Sequence, residues 1–145
     1  GGIATGRGML AAMVLGADGV QMGSRFAASV ESSAHENFKN TIITTKEGDT
    51  QLTLKELAPV RLIKNKFYQE VQELYAKCPS KDDLIQLLGR ARAKRGMFEG
   101  DLEEGELEIG QIAGLIHEIQ PVSAIFESII TEFQLVQKES AAWTF

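Results

Sequence analysis

The feature that most constrains this chain is a pair of glycine turns within its first 26 residues. They are Gly1-Gly2-Ile3-Ala4-Thr5-Gly6-Arg7-Gly8 and Gly16-Ala17-Asp18-Gly19-Val20-Gln21-Met22-Gly23-Ser24-Arg25-Phe26, separated by a short apolar stretch. Without a Cβ, glycine lets the backbone approach a ligand closely and adopt positive φ without strain. Thr5 reads as the N-cap of a helix whose Met9, Leu10, Met13 and Val14 share one face, and Gly16 stands where a C′ glycine belongs. Val20 and Met22 then alternate with Gln21 and Gly23 as a short strand does, and Gly23-Ser24 closes it. Turn, helix, strand and turn make one repeat of a parallel α/β fold. In a barrel of eight such repeats, the loops after the last two strands commonly hold a phosphate, helped by the partial positive charge of helix N-termini. The two turns therefore read as the halves of a phosphate clamp.

Rival readings of the glycines are weaker in chemistry. Taken singly, Gly1-Gly2 and Gly23-Ser24 also suit ordinary turns. Gly1-x4-Gly6-Arg7-Gly8 half-matches a nucleotide P-loop, but Arg7 stands where that motif needs Lys, and Gly8 replaces the Mg²⁺-binding Ser/Thr. A dinucleotide fingerprint fails because no third glycine follows Gly6-Arg7-Gly8 at the required spacing.

Gly1-Gly2-Ile3, Gly6-Arg7-Gly8 and residues 15–26 resemble the terminal barrel segment of the nitronate monooxygenase superfamily. These are FMN-dependent (β/α)8-barrel oxidoreductases, and they include the flavin-containing enoyl-acyl-carrier-protein reductases. The resemblance continues, in the same order, through Glu31-Ser32-Ser33-Ala34-His35, Val60-Arg61-Leu62-Ile63-Lys64-Asn65 and Gly110-Gln111-Ile112-Ala113-Gly114-Leu115-Ile116. It implies an α/β fold, the C-terminal part of an FMN-binding (β/α)8 (TIM) barrel followed by a mostly helical segment.

The resemblance also implies FMN-phosphate contacts at Gly2, Gln21, Met22, Gly23 and Ser24, with Gly1 and Ile3 as neighbours. In this assignment the N–H groups of Gly2, Gly23 and Ser24 face phosphate oxygens, and the Ser24 hydroxyl is a further donor. Gln21 lies nearer the ribityl chain or ring. Ser24 stands where threonine is common, and it keeps the hydroxyl. No catalytic residue is assigned, because the family's histidine base would lie upstream of Gly1. The resemblance implies a small-molecule substrate, first an alkyl nitronate oxidised with dioxygen. The alternative is NAD(P)H-dependent reduction of an enoyl thioester, to which the His35, Ile63-Lys64-Asn65 and Trp143 segments are similar. A third possibility is an inactive structural remnant without flavin affinity.

Composition sets limits on these readings. Of 145 residues, 43% are hydrophobic and 24% charged, as in ordinary globular proteins of about one domain. A formal charge of -5 argues against a nucleic-acid surface, which is usually basic. Cys78 is the sole cysteine, so no intrachain disulfide forms, and a reducing, cytoplasmic location fits. No apolar run approaches the ~20 residues of a membrane span. The chain starts without Met at a turn that should follow a strand, so a fragment of a longer protein is expected, with weak or absent FMN binding by itself.

The chain divides into a last barrel repeat with the clamp (1–43), a hairpin and helical excursion (44–109), closing helices (110–137) and a tail (138–145). Ser33 and Glu36 have capping-box spacing, which predicts a helix over 34–43 with His35 in its first turn as a surface or structural residue. Thr44, Thr45, a Glu47-Gly48-Asp49 turn and residues 51–54 predict a hairpin, with a short helix through Lys55-Glu56-Leu57 as the alternative. Val60-Arg61-Leu62-Ile63 reads as a further strand. Arg61 and Lys64 read as solvated or salt-bridged, with a substrate phosphate as the sharper alternative.

Phe67, Val71, Leu74 and Tyr75 mark an amphipathic helix ending near Cys78-Pro79, and Ser80 caps the next, with Asp82 and Asp83 in its first turn. Arg90, Arg92, Lys94 and Arg95 read as an exposed basic face, or as a dock for an anionic carrier or nicotinamide phosphate. Residues 99–106 form an acidic loop without metal-ligand spacing. Gln111 opens a helix to about His117 and is a candidate for lining the site. Pro121 fits helix position N1, and Val122, Ile125, Phe126, Ile129, Ile130 and Phe133 form the clearest helical stripe, read as core. Trp143-Thr144-Phe145 closes the tail.

Overall fold

The computed structural model describes residues 1–142 and 144, so the Trp143 and Phe145 part of the tail lies outside the described residues. Helix α1 (Gly6–Val14) starts where Thr5 directs, the Thr5 hydroxyl accepting from the Gly8 N–H at 3.0 Å. It ends in a Schellman motif: Gly16, at φ 100°, donates to the Met13 carbonyl, and Ala17 donates to that of Ala12. A second donor of α1, the Gly6 N–H, is taken by the Glu132 carboxylate at 2.7 Å.

Glu132 lies on the last helix, α7 (Val122–Ala141), which packs along α1. Gly6 is buried at the crossing, and a Cβ there would run into the α7 backbone at Ile129 and Phe133. The expected helical stripe on 122–133 forms, one residue later than expected at its start because Pro121 is the N-cap rather than N1. Only part of that stripe is core: Ile125 and Ile129 are buried, whereas Phe126 is 56% and Ile130 43% exposed. Val14 and Leu15 of the first helical segment are likewise exposed.

The strand expected at Val20–Met22 does not form. The alternation is present, but no described residue supplies a ladder beside it, and a parallel barrel strand exists only through its neighbours. The segment leads without regular structure into the short helix α2 (Ser24–Ala27). Arg25 is buried behind this turn, its guanidinium donating to the Glu118 carbonyl at 3.3 Å and to Gln120 Oε1 at 2.5 Å. Desolvation lowers its pKa from the ordinary arginine value, opposed by Glu118. Phe26 and Phe126 pack at 5.3 Å between ring centroids, which ties this turn to α7.

Helix α3 (Glu36–Thr44) is capped by His35, not by Ser33. His35 Nδ1 accepts from the Asn37 N–H at 3.1 Å, and the His35 N–H donates to the Met97 carbonyl at 2.8 Å. That tertiary anchor selects the cap over the local Ser33 and Glu36 spacing. Because α3 continues to Thr44, the expected first arm of a hairpin at 44–45 is absent. The Glu47-Gly48-Asp49 turn forms, with Gly48 at φ 84°, but strand β1 (Thr50–Thr53) pairs instead with β2 (Val60–Ile63), antiparallel with Thr50 opposite Ile63.

Strand β2 separates two cores. Leu62 joins Leu54, Phe67, Val71 and Leu84 on one side, and Ile63 joins Ala28, Phe38, Ile42, Leu107, Ile109 and Ile116 on the other. Alternation along a strand sends successive side chains to opposite faces. Residues 107–109 extend along the free edge of β2, with Ile63 donating to the Leu107 carbonyl and Ile109 to that of Arg61. The core around Leu62 is closed by α4 (Lys66–Tyr75) and α5 (Lys81–Leu88), the latter starting with a full Ser80 and Asp83 capping box.

The basic run divides on helix α6 (Arg92–Met97) and just before it. Arg92 turns inward, 4.4 Å over the Phe67 ring, and donates to the carbonyls of Leu88 and Glu104. Lys94 pairs with Glu99 and Arg95 with Asp101, so the acidic loop neutralises most of the run. Among the described residues no helix is long and apolar enough to cross a membrane.

Candidate functional site

The two glycine turns meet. Gly1, Gly2, Ile3, Gln21, Gly23 and Ser24 line one cavity of about 280 Å³, together with Gly110 and Ile112. Met22 is the exception among the residues expected there. It is half-buried and absent from the lining.

The cavity wall is main chain and neutral side chain, with no carboxylate in it. In a chain of net charge -5 this spares an anion the repulsion it would meet elsewhere. Among the described residues no hydrogen bond uses the N–H of Gly2, Gly23 or Ser24 as donor. Gly2 holds φ 76°, in the left-handed region where a side chain is strained, and space is open where a Cβ of Gly2 or Gly23 would stand. Among the described residues, then, no hydrogen-bond acceptor takes these amides.

A third segment, not foreseen as part of the clamp, fixes the second turn. The Gly110 N–H donates to Ser24 Oγ at 3.0 Å, and a Cβ on Gly110 would stand 2.8 Å from that oxygen. Gly110 precedes the 3₁₀ helix Gln111–Leu115, which packs on α2 and α3. Gln111 itself faces an adjoining cavity of about 560 Å³, and the expected helix to His117 stops two residues short. The Gly-Gln pair in the sequence marked this segment. A contact spanning 86 positions leaves no periodic signal to show which residue touches Ser24.

Other named residues lie away from the cavity. His35 is a helix cap, His117 is exposed, and Cys78 is exposed in the turn between α4 and α5. Lys64 donates to the Gly48 carbonyl at 2.7 Å. Among the described residues Glu106 is the one strongly shifted group: burial first, and Glu108 second, push its pKa up to about 7 against the pull of Arg92.

A nitronate monooxygenase family model matches residues 1–132. This chain belongs to the nitronate monooxygenase family. Within that family it is 35% identical over 133 residues to a probable nitronate monooxygenase of Staphylococcus saprophyticus, covering 91% of this chain and 37% of that protein. A probable nitronate monooxygenase of Staphylococcus aureus is 34% identical over 139 residues, covering 95% and 39%. Among solved structures, FabK from Thermotoga maritima superposes with a TM-score of 0.89 at 41% identity, covering 99% of this chain and 46% of that one. A nitroalkane oxidase from Streptomyces ansochromogenes gives 0.71 at 27% identity, covering 96% and 39%. The chain therefore spans less than half the length of the nitronate monooxygenase relatives it matches. As a mixed α/β structure it corresponds to part of the larger FabK and nitroalkane oxidase folds.

Proposed function

We propose that this chain supplies the phosphate-binding end of an FMN-dependent oxidoreductase that oxidises alkyl nitronates with dioxygen in the cytoplasm. The supporting observation is the carboxylate-free cavity in which two glycine turns present unused main-chain donors. In this reading Gly2, Gly23 and Ser24 direct N–H groups at the phosphate oxygens, and Gln21 lies along the ribityl chain. The Gly110 N–H occupies an acceptor position of the Ser24 hydroxyl, which leaves the hydroxyl proton free to donate to the phosphate. Charge-assisted bonds of this kind are roughly twice as strong as neutral ones.

A flavin held there would supply the redox chemistry that couples nitronate oxidation to reduction of dioxygen. The chain's own residues bind and orient the cofactor by its phosphate. The neutral wall keeps competing carboxylates away, and Gly110 holds Ser24 in position.

The second reading is NAD(P)H-dependent reduction of an enoyl thioester. It is favoured by the higher identity to the FabK structures, 41% against 27% for the nitroalkane oxidase. Oxygen uptake with a propyl nitronate, set against NADH oxidation with crotonyl thioester, separates the two in the flavin-loaded protein. Nitronate-dependent uptake without thioester-dependent NADH oxidation supports the first reading, and the reverse pattern replaces it with the second.

A further inference from the structure

We propose that Glu132 and Gln120, neither of which lines the cavity, are positioning residues for the clamp. Acting through α7, they fix the distance between the two glycine turns, and so set how well the site tells a flavin phosphate from a flavin without one. The proposal rests on the flavin reading of the cavity and adds what holds its two halves at their spacing. Among the described residues no hydrogen bond joins residues 1–5 directly to residues 20–24, although both stretches line one cavity. Their separation is therefore set by what each is fastened to. Both are fastened to α7 or to the residues that lead into it.

The first turn is held where it enters α1. The Gly6 N–H donates to Glu132 Oε2 at 2.7 Å, and Gly6 lies against the α7 backbone at Ile129 and Phe133 with no room for a Cβ. No salt bridge engages Glu132 among the described residues, so its half-buried carboxylate serves the N-terminus of α1 in a charge-assisted bond. The second turn is held through Arg25, the neighbour of Ser24, whose Nη2 donates to Gln120 Oε1 at 2.5 Å. Gln120 is gripped twice, because its carbonyl also accepts from the Val30 N–H at 3.0 Å. Glu31 then takes the Val122 N–H at 2.9 Å, and Phe26 packs on Phe126, so the block after Ser24 is bound to the first turns of α7. Phe126 and Glu132 lie in one helix with no interior Gly or Pro, about 9 Å apart along its axis. Such a helix does not kink, and a shift at one tie reaches the other. Hydrogen bonds weaken steeply as their angle closes, and a binding site must hold its donors to about 0.5 Å. The spacing of the turns is thus a condition for gripping a phosphate from both sides.

The test compares FMN with riboflavin, which carries no phosphate, each titrated into the protein by fluorescence quenching. Glu132→Ala and Gln120→Ala should each weaken FMN fivefold or more while riboflavin affinity stays within twofold. Glu132→Gln keeps an acceptor for the Gly6 N–H and should return the FMN-to-riboflavin ratio toward that of the wild type. If one alanine variant fails to fold, the other decides. A second readout needs no flavin: in ligand-free Glu132→Ala, the amide resonances of Gly23 and Ser24 should move, although these residues belong to the opposite turn. A ratio unchanged in every alanine variant that folds, or FMN and riboflavin weakened in parallel, would overturn the proposal, as would Gly23 and Ser24 amides that stay in place. Wild-type protein that binds the two flavins equally, or binds neither, would instead remove the flavin-phosphate reading, and the amide resonances alone would then decide whether α7 sets the spacing.

Discussion

The Gly110 N–H donates to the Ser24 hydroxyl oxygen at 3.0 Å, joining the end of the extended 107–109 segment to the turn that opens α2. Removing the hydroxyl has two separable effects. Ser24→Ala leaves the half-buried Gly110 N–H without its acceptor, which costs roughly 1–2 kcal/mol, and it deletes one donor from the proposed phosphate site. Chemical denaturation should show that loss of stability, and flavin fluorescence quenching should show FMN binding weakened about tenfold. Ser24→Thr should restore both.

Gly6 is needed for packing rather than for a ligand. A Cβ at Gly6 would strike the α7 backbone at Ile129 and Phe133, and the Glu132 Cβ would stand 2.9 Å from it. Gly6→Ala should therefore cost about 3 kcal/mol by overpacking at the helix crossing. Gly8→Ala is the contrast. Its Cβ would meet only the Thr5 hydroxyl at 3.3 Å and an Ile3 methyl at 3.4 Å, so the change should stay within about 1 kcal/mol, part of it offset by alanine's helix propensity. Thermal melts of the two variants should separate clearly, and equal melting temperatures would refute the packing account.

How much of this was legible follows from the range of each interaction. The Thr5 cap, the Gly16 C′ turn, the Ser80 and Asp83 capping box and the α7 stripe are set within a few residues, and the sequence carries them openly. The meeting of the glycine turns was read from spacing together with the family pattern, and the geometry brings six of the seven residues together. Where a distant partner decides, local patterns misled. His35 displaced Ser33 as a cap because residues 97–100 hold it, and β1 found Val60–Ile63 because α3 consumed the nearer arm. Val20 and Met22 alternate as a strand but have no described neighbour to pair with. The inward turn of Arg92 onto Phe67 is equally invisible in a run of basic residues.

The His35 cap gives a direct comparison of two candidates for one role. His35→Ala removes the acceptor of the Asn37 N–H and the ring that packs on Gly100, and should destabilise the protein by about 1 kcal/mol. His35→Asn keeps a capping acceptor and should recover much of that. Ser33→Ala should change stability by less than about 0.5 kcal/mol, as surface substitutions do. Urea midpoints for the three variants check the order, and a larger loss for Ser33→Ala than for His35→Ala would reverse the assignment.

Glu106 gives the chain a pH dependence of unusual sign for a carboxylate. Its residue is buried, and its pKa rises from 4.5 to about 7, chiefly through desolvation and then through Glu108. A carboxyl whose folded-state value is raised binds its proton more tightly in the native protein, so stability falls as pH climbs between these values. Below about pH 4.5 both states are protonated and no penalty exists; above about pH 7 both are ionised and the penalty is complete. Glu106→Gln substitutes a neutral group of the same shape. It should match the wild type near pH 4.5 and exceed it in stability by up to about 3 kcal/mol at pH 8. Taking the difference between the two proteins cancels the other carboxylates, such as Asp101, whose pKa is lowered first by the Glu104 N–H and so titrates at lower pH. Denaturation midpoints measured from pH 4.5 to 8 give this difference curve, and a curve that stays flat across the window would show that the Glu106 carboxylate is solvated and ionised in the native state.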